Sequence, residues 1–188
     1  MKKLVPVNQY AIDNLDQKPL YAIEDVRPIA DEALELLRPY CVRCEIAGSV
    51  RREKELVHDI DIVVIPKPYE IGLLAFDEDF AMVVNRWELV KAELIPNVRR
   101  YTRRRLPSGI ELDLFIVNEI NWGYMLAIKT GSHPFSIQKL AWKWKDKKYK
   151  GDDGYLKTLD GKIVPVREEI DLFNRIGIPW VDPRDRNL

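Results

Sequence analysis

Gly48-Ser49-Val50-Arg51-Arg52, followed after a short gap by Asp59-Ile60-Asp61-Ile62-Val63-Val64-Ile65, is the stretch whose reading decides the fold. The apolar run behind Asp61 has the β-branched composition of a buried strand. Side chains at i and i+2 of a strand leave the same face, so Asp59 and Asp61 present two carboxylates side by side. Two such anions repel unless cations lie between them. Mg²⁺ meets that need as a hard ion that takes oxygen ligands from one or two carboxylates and from substrate phosphates. The Gly48-Ser49 turn and the two arginines suit the phosphates, through backbone N–H groups, a hydroxyl and a guanidinium fork. Each piece alone is ordinary, since Asp-x-Asp on a strand edge more often serves solubility and Gly-Ser is a turn dipeptide. The conjunction points to a phosphate and metal site.

Upstream, Val26, Ile29, Ala33, Leu34 and Leu37 recur at helical spacing, which predicts a helix from Glu24 to Arg38, with Pro28 confined to its first turn and Pro39 closing it. Val42–Ala47 reads as a strand leading into the glycine turn. Residues 69–95 read as helical, most clearly Phe80 to Leu94. An arginine-rich strand, Asn97 to Leu106, then turns at Pro107-Ser108-Gly109 and returns as Ile110 to Val117. Alternation places Glu111, Asp113 and Phe115 on one face of that returning strand. A third carboxylate therefore reaches the first two if the strands are neighbours. Beyond Asn118 come a helix over Trp122–Lys129, a break at Thr130-Gly131-Ser132, and a second helix capped by Ser132 and running to about Lys145. A hairpin with turns at Gly151–Gly154 and Asp160-Gly161 follows, then a short helix over Arg167–Ile176 ended by Gly177 and Pro179. Phe135, Leu140, Trp142 and Trp144 are expected to be core or interface rather than base-stacking groups.

At 188 residues, with 46% hydrophobic and 32% charged residues, the chain suits one core or two small lobes. No stretch reaches the roughly 20 apolar residues that cross a bilayer, and Met1-Lys2-Lys3-Leu4-Val5-Pro6 lacks a signal-peptide core, so a cytoplasmic protein with no membrane partner is expected. Cys41 and Cys44 lack the further ligands a zinc site requires and read as reduced structural thiols. Formal net charge is zero, but the basic residues are segregated: Arg99, Arg100, Arg103, Arg104 and Arg105 crowd one segment, and Lys139, Lys143, Lys145, Lys147, Lys148 and Lys150 another. Such segments either follow a phosphate backbone or form a solvated face.

With these motifs in view, the chain from about residue 21 to Arg186 resembles a family X DNA polymerase reduced to palm and thumb. Gly48-Ser49-x-Arg51-Arg52 with Asp59-x-Asp61 is similar to the palm motif for the triphosphate and both metals. Leu112-Asp113-Leu114 is similar to the third palm carboxylate, Thr130-Gly131-Ser132 to the thumb turn beside the incoming sugar, and Val164-Pro165-Val166 through Asp182–Arg186 to the end of the thumb. The resemblance implies an α+β fold: an N-terminal arm over 1–20, a nucleotidyltransferase palm with a mixed sheet and flanking helices over 21–120, and a small α/β thumb over 121–188. It implies two Mg²⁺ ions, with Mn²⁺ as the alternative, held by Asp59, Asp61 and Asp113, and transfer of a nucleotide to a primer 3′-hydroxyl. Gly48, Ser49 and Arg52 would take the phosphates, and Thr130, Gly131, Ser132 and Ser136 the rest of the nucleotide. The partners implied are primer-template or gapped DNA and a nucleoside triphosphate, with Arg99, Arg103, Arg105, Lys139 and Lys143 as DNA contacts and a monomeric protein.

The sequence departs from that pattern in several places. Ile128 and Lys129 stand where aromatic residues often precede the thumb turn, Ser136 where an asparagine often faces the base, and His58 where glycine is frequent. His58 is expected either at the triphosphate or in local packing. Glu111 replaces a usual basic residue and is expected either to tune the metal site or to point into solvent. No lyase domain or helix-hairpin-helix segment is recognisable. The rival readings are a nucleotidyltransferase acting on RNA ends, a small molecule or a protein, and an inactive nucleic-acid-binding module on the same fold.

Overall fold

The structure, a computed structural model, describes residues 3–7, 18–67, 78–94 and 100–188. It is a mixed α+β chain that divides into two compact units, Met1–Ile116 and Val117–Leu188.

The first unit is built on a five-stranded mixed sheet in the order β2 (Cys41–Ile46), β4 (Asp59–Pro66), β7 (Glu111–Ile116), β6 (Tyr101–Arg105), β5 (Glu88–Lys91). Only the β4–β7 pair is parallel; the other neighbours are antiparallel. Two short strands, β1 (Tyr21–Ala22) and β3 (Leu56–Val57), pair separately. One face of the large sheet carries Cys44, Ile46, Ile60, Ile62, Val64, Leu112, Leu114 and Ile116. These pack with Val26, Ala30, Ala33 and Leu37 of α1 (Ile23–Leu37) and with Phe80, Val83 and Val84 of α3 (Glu78–Val84). Period-2 alternation then sends Asp59, Asp61, Glu111 and Asp113 to the opposite face. The core thus decides where the carboxylates go.

Four readings of the sequence need correction here. Pro28 is the sixth residue of α1, in its second turn rather than its first, where it has no N–H to give to the carbonyl four residues back. Gly48-Ser49 is more than a turn: Gly48–Arg51 form a single helical turn, α2, with Arg51 N–H donating to the Ala47 carbonyl at 3.1 Å. Helix α3, described from Glu78, ends at Val84 instead of running on to 95, and Glu88–Lys91 joins the sheet as its edge strand, while 69–77 and 95 lie outside the described residues. The expected strand from Asn97 begins, among described residues, at Tyr101, and 97–99 fall outside them. Cys41 and Cys44 are free, buried thiols on β2.

The second unit has its own core of Tyr124, Ala127, Phe135, Leu140, Trp144, Leu156, Val166, Leu172 and Phe173. Helix α4 (Trp122–Thr130) leads through the Gly131-Ser132 break into α5 (His133–Phe135), a π-helical stretch over Ser136–Ala141, and α6 (Trp142–Asp146). A three-stranded antiparallel sheet follows, β8 (Tyr149–Asp152), β9 (Tyr155–Thr158) and β10 (Ile163–Val164). Helix α7 (Glu169–Ile176) starts at a capping box between Glu168 and Asp171 and ends at left-handed Gly177 (φ 73°). It crosses α4 at Gly123, where a Cβ would stand 2.1 Å from the Glu168 carbonyl carbon. Arg186 is fully buried, pairs with Glu169 at 2.6 Å and lies over the rings of Phe173 and Trp180. Trp144 is buried as expected, whereas Trp142 is 57% exposed and is no core residue.

Candidate active site

The parallel register of β4 and β7 pairs Asp61 with Asp113 and Asp59 with Glu111. All four side chains share the polar face, in a block two residues wide on each strand. Asp113 is buried, and Asp59 and Asp61 are partly covered. β6 contributes to the same face, because its antiparallel register sets Arg103 opposite Asp113, Arg105 opposite Glu111 and Tyr101 opposite Phe115.

Arg103 is the centre of the arrangement. Its Nε and Nη2 donate to Asp113 Oδ1 and Oδ2 at 2.5 and 2.6 Å, a bidentate fork. Its Nη1 donates to Glu111 Oε2 at 3.0 Å, and Nη2 stands 3.8 Å from Asp59 Oδ2. The hydrogen bonds to Asp113 hold this guanidinium protonated well above the ordinary arginine range, against the opposing effect of desolvation. The Tyr101 hydroxyl donates to Asp113 Oδ1 at 2.9 Å; burial first and this bond second push its pKa up to about 12. Lys18 Nζ reaches Asp59 at 3.4 Å, and Arg105 bridges Glu88 at 3.1 Å and Glu111 at 3.4 Å. Glu111 therefore belongs to the polar face and its ion pairs rather than to solvent.

The glycine turn closes the other side. Gly48 has φ +61°, and a Cβ built there would lie 1.8 Å from Asp61 Oδ2. The Ala47 N–H donates to the Asp61 carbonyl at 2.8 Å, which fastens the turn to β4. Ser49 and Arg52 ride on this turn. Burial holds Arg52 below the ordinary arginine range, with the Asp61 charge acting the other way. His58 is exposed, and its Nδ1 lies 3.0 Å from the Pro19 carbonyl; since that oxygen only accepts, Nδ1 carries the proton in this contact.

The donor set suits a hard divalent cation: carboxylate oxygens from neighbouring strands, with a glycine backbone lying flush against one of them. Among the described residues, no three His, Cys, Asp or Glu side chains close around a common point, and the positive charge beside Asp113 is that of Arg103.

Thr130, Gly131, Ser132 and Ser136 lie together in the second unit. Ser132 caps the following helix, its Oγ accepting from Phe135 N–H at 3.2 Å and from Leu188 N–H at 3.3 Å. Its own N–H donates to the Arg186 carbonyl at 2.9 Å. Ser136 Oγ donates to the Ile128 carbonyl at 3.0 Å, so this hydroxyl is occupied locally. A Cβ on Gly131 would lie 2.8 Å from both Phe135 and Ser136 Oγ. Lys139 and Lys143 are exposed on this helical run, with Asp146 4.0 Å from Lys143.

The expected DNA contacts in the arginine segment have other partners. Arg103 and Arg105 are bound to carboxylates of the polar face. Arg104 is buried on the core side, donating to Thr102 Oγ1 at 3.1 Å, the Trp87 carbonyl at 3.4 Å and Asn85 Oδ1 at 2.9 Å. Arg99 lies outside the described residues. The sequence pattern points Arg103 at the DNA backbone and gives Tyr101 no role, whereas both donate to Asp113. The signal was present: a turn centred on Ser108 pairs residues whose numbers are equidistant from it, which puts 103 opposite 113 and 101 opposite 115.

No family model matches this chain, and no curated protein sequence matches it. Among the described residues, no helix is long and apolar enough to cross a membrane.

Proposed function

We propose that the chain is a DNA-directed nucleotidyltransferase of the family X polymerase type, with a palm in the first unit and a thumb in the second, extending a primer 3′-hydroxyl across short gaps. The observation that carries this reading is the pairing of Asp61 with Asp113 across parallel strands, with Asp59 on the same face and the Gly48 backbone pressed against Asp61. Asp59, Asp61 and Asp113 would hold two Mg²⁺ ions, or Mn²⁺ in their place. Bound there, the metals supply Lewis-acid activation of the 3′-hydroxyl and charge neutralisation on pyrophosphate.

The chain's own groups do the rest. Gly48 lets the turn backbone come close to a phosphate, while the Ser49 hydroxyl and the Arg52 guanidinium grip phosphate oxygens. An Asp113 carboxylate oxygen accepts the hydroxyl proton. Thr130, Gly131, Ser132 and Ser136 are assigned to the sugar and base, and the exposed Lys139 and Lys143 to the DNA backbone. We place the protein in the cytoplasm as a monomer.

Primer extension on gapped and blunt duplexes, with all four nucleotides and with or without a template, tests this reading. Templated, divalent-metal-dependent extension is the expected result. Transfer of a nucleotide only to RNA ends, a small molecule or a protein would replace the polymerase reading with another transferase, and no transfer to any acceptor would remove it.

A further inference from the structure

Both oxygens of Asp113 are committed. Oδ1 accepts from Arg103 Nε at 2.5 Å and from the Tyr101 hydroxyl at 2.9 Å, and Oδ2 accepts from Arg103 Nη2 at 2.6 Å. A cation coordinated by Asp113 through the second lone pair of Oδ2 would stand beside the guanidinium held on that same oxygen at 2.6 Å, so like-charge repulsion drives Arg103 off the fork. The displaced guanidinium then needs another anion, since a charged group left unpaired in a half-buried place is costly. Glu111 is that anion. It sits two residues before Asp113 on β7, on the same face, and already accepts from Arg103 Nη1 at 3.0 Å. The guanidinium therefore transfers by a short pivot without entering solvent.

We propose that Arg103 is the resident counter-cation of this face and exchanges with a divalent cation by moving from Asp113 onto Glu111. The inference rests on the reading of Asp59, Asp61 and Asp113 as the metal-holding set and adds two positioning residues, Arg103 and Glu111. It explains why the face is folded and paired before any cation arrives. It also gives Glu111 a use, because a neutral residue there would leave Arg103 locked on Asp113.

Mn²⁺ titrated into the full-length protein without nucleotide or DNA, with free Mn²⁺ read by electron paramagnetic resonance, tests the exchange. Replacing a bidentate charge-assisted pair predicts that Arg103→Gln binds Mn²⁺ about tenfold tighter than wild type. Arg105→Gln removes the same charge from the same face without touching Asp113, and its effect is expected to be smaller. Glu111→Gln is expected to weaken Mn²⁺ binding in the wild type and to have clearly less effect in the Arg103→Gln background, since the pivot no longer exists there. Should Arg103→Gln lose its circular dichroism signature, Arg103→Lys, which keeps the charge but not the fork, carries the test and is expected to bind several-fold tighter. Equal Mn²⁺ affinity in wild type and the Arg103 variants, or equal tightening in Arg105→Gln, would overturn the exchange. Binding lost in Asp61→Asn would still leave the transferase reading standing in that case. If no form binds Mn²⁺ above the Asp61→Asn background, the reading of the face as a cation site fails first.

Discussion

Asp61 and Asp113 are direct neighbours across the parallel pair of β4 and β7, although 51 intervening residues separate them in the chain. Side-chain direction in a sheet has a period of two, so a slip of one residue would have sent Asp113 into the apolar core and Leu112 or Leu114 onto the polar face. Burial of Leu112 and Leu114 against α1 and α3 is therefore what fixes the site. The hydrophobic pattern and the acidic face are one constraint.

Gly48→Ala is expected to destabilise the first unit by about 1–3 kcal/mol, through the strained positive φ and a methyl driven into Asp61. Gly109 offers the control: its φ is +96°, but nothing lies within 4 Å of a Cβ there. Urea unfolding of the two variants is expected to rank Gly48→Ala as the more damaging, and equal losses would remove the claim of contact with Asp61.

Much of this was legible in the sequence, and the exceptions have physical causes. Strands β2, β4 and β7 were readable because one face of each is buried, which enforces either alternation or a continuous apolar run. β5 was not. As an edge strand it leaves Glu88, Leu89 and Lys91 exposed, so nothing enforces a period of two, and Trp87, Val90 and Leu94 fall by chance at helical spacing. Local spacing puts Asp59 and Asp61 on one face of β4, and Glu111 and Asp113 on one face of β7, but does not supply the pairing of the two strands, which is a non-local contact. Arg103 could not be separated from its neighbours by charge: the strand turns Arg104 to the core side, while Arg103 and Arg105 share the polar face and differ in which carboxylate stands opposite, Asp113 or Glu111. The π-helical stretch over 136–141 left no sequence signal that we can identify.

Arg186→Met is expected to cost the second unit about 3–5 kcal/mol, because it removes the guanidinium that neutralises the buried Glu169 carboxylate. Adding Glu169→Gln is expected to recover part of that loss. Denaturant unfolding followed by tryptophan fluorescence reads both, and a double variant no better than the single one would show that the charge imbalance is not the cause.

Alkaline pH is expected to weaken the fold through Tyr101 and Tyr124, both pushed from the ordinary 10.0 up to about 12, chiefly by burial. Below pH 10 each phenol is protonated in folded and unfolded chains alike, and its contribution is complete. Between 10 and 12 the unfolded chain loses these protons first, so stability falls as pH rises. Phenolate absorbance is expected to show a late-titrating component to which Tyr101 and Tyr124 both contribute, and which shrinks in Tyr101→Phe.

Lys139 and Lys143 are expected to act on DNA as phosphate ligands, without sequence preference. Each alanine substitution is expected to reduce the slope of log affinity against log salt by about 1. Gel-shift titration on gapped duplex measures this, and an unchanged slope would take these residues out of the interface.

The central claim is that carboxylates from two strands act together in nucleotidyl transfer. The rate of single-nucleotide incorporation into a one-nucleotide gap with Mg²⁺, compared among wild type, Asp61→Asn and Asp113→Asn at matched folding, tests it most directly. The account predicts a loss of at least about a hundredfold in each variant, since groups that only support a metal's ligands already cost about 10–100-fold. Metal-dependent incorporation at the wild-type rate in either variant would contradict it.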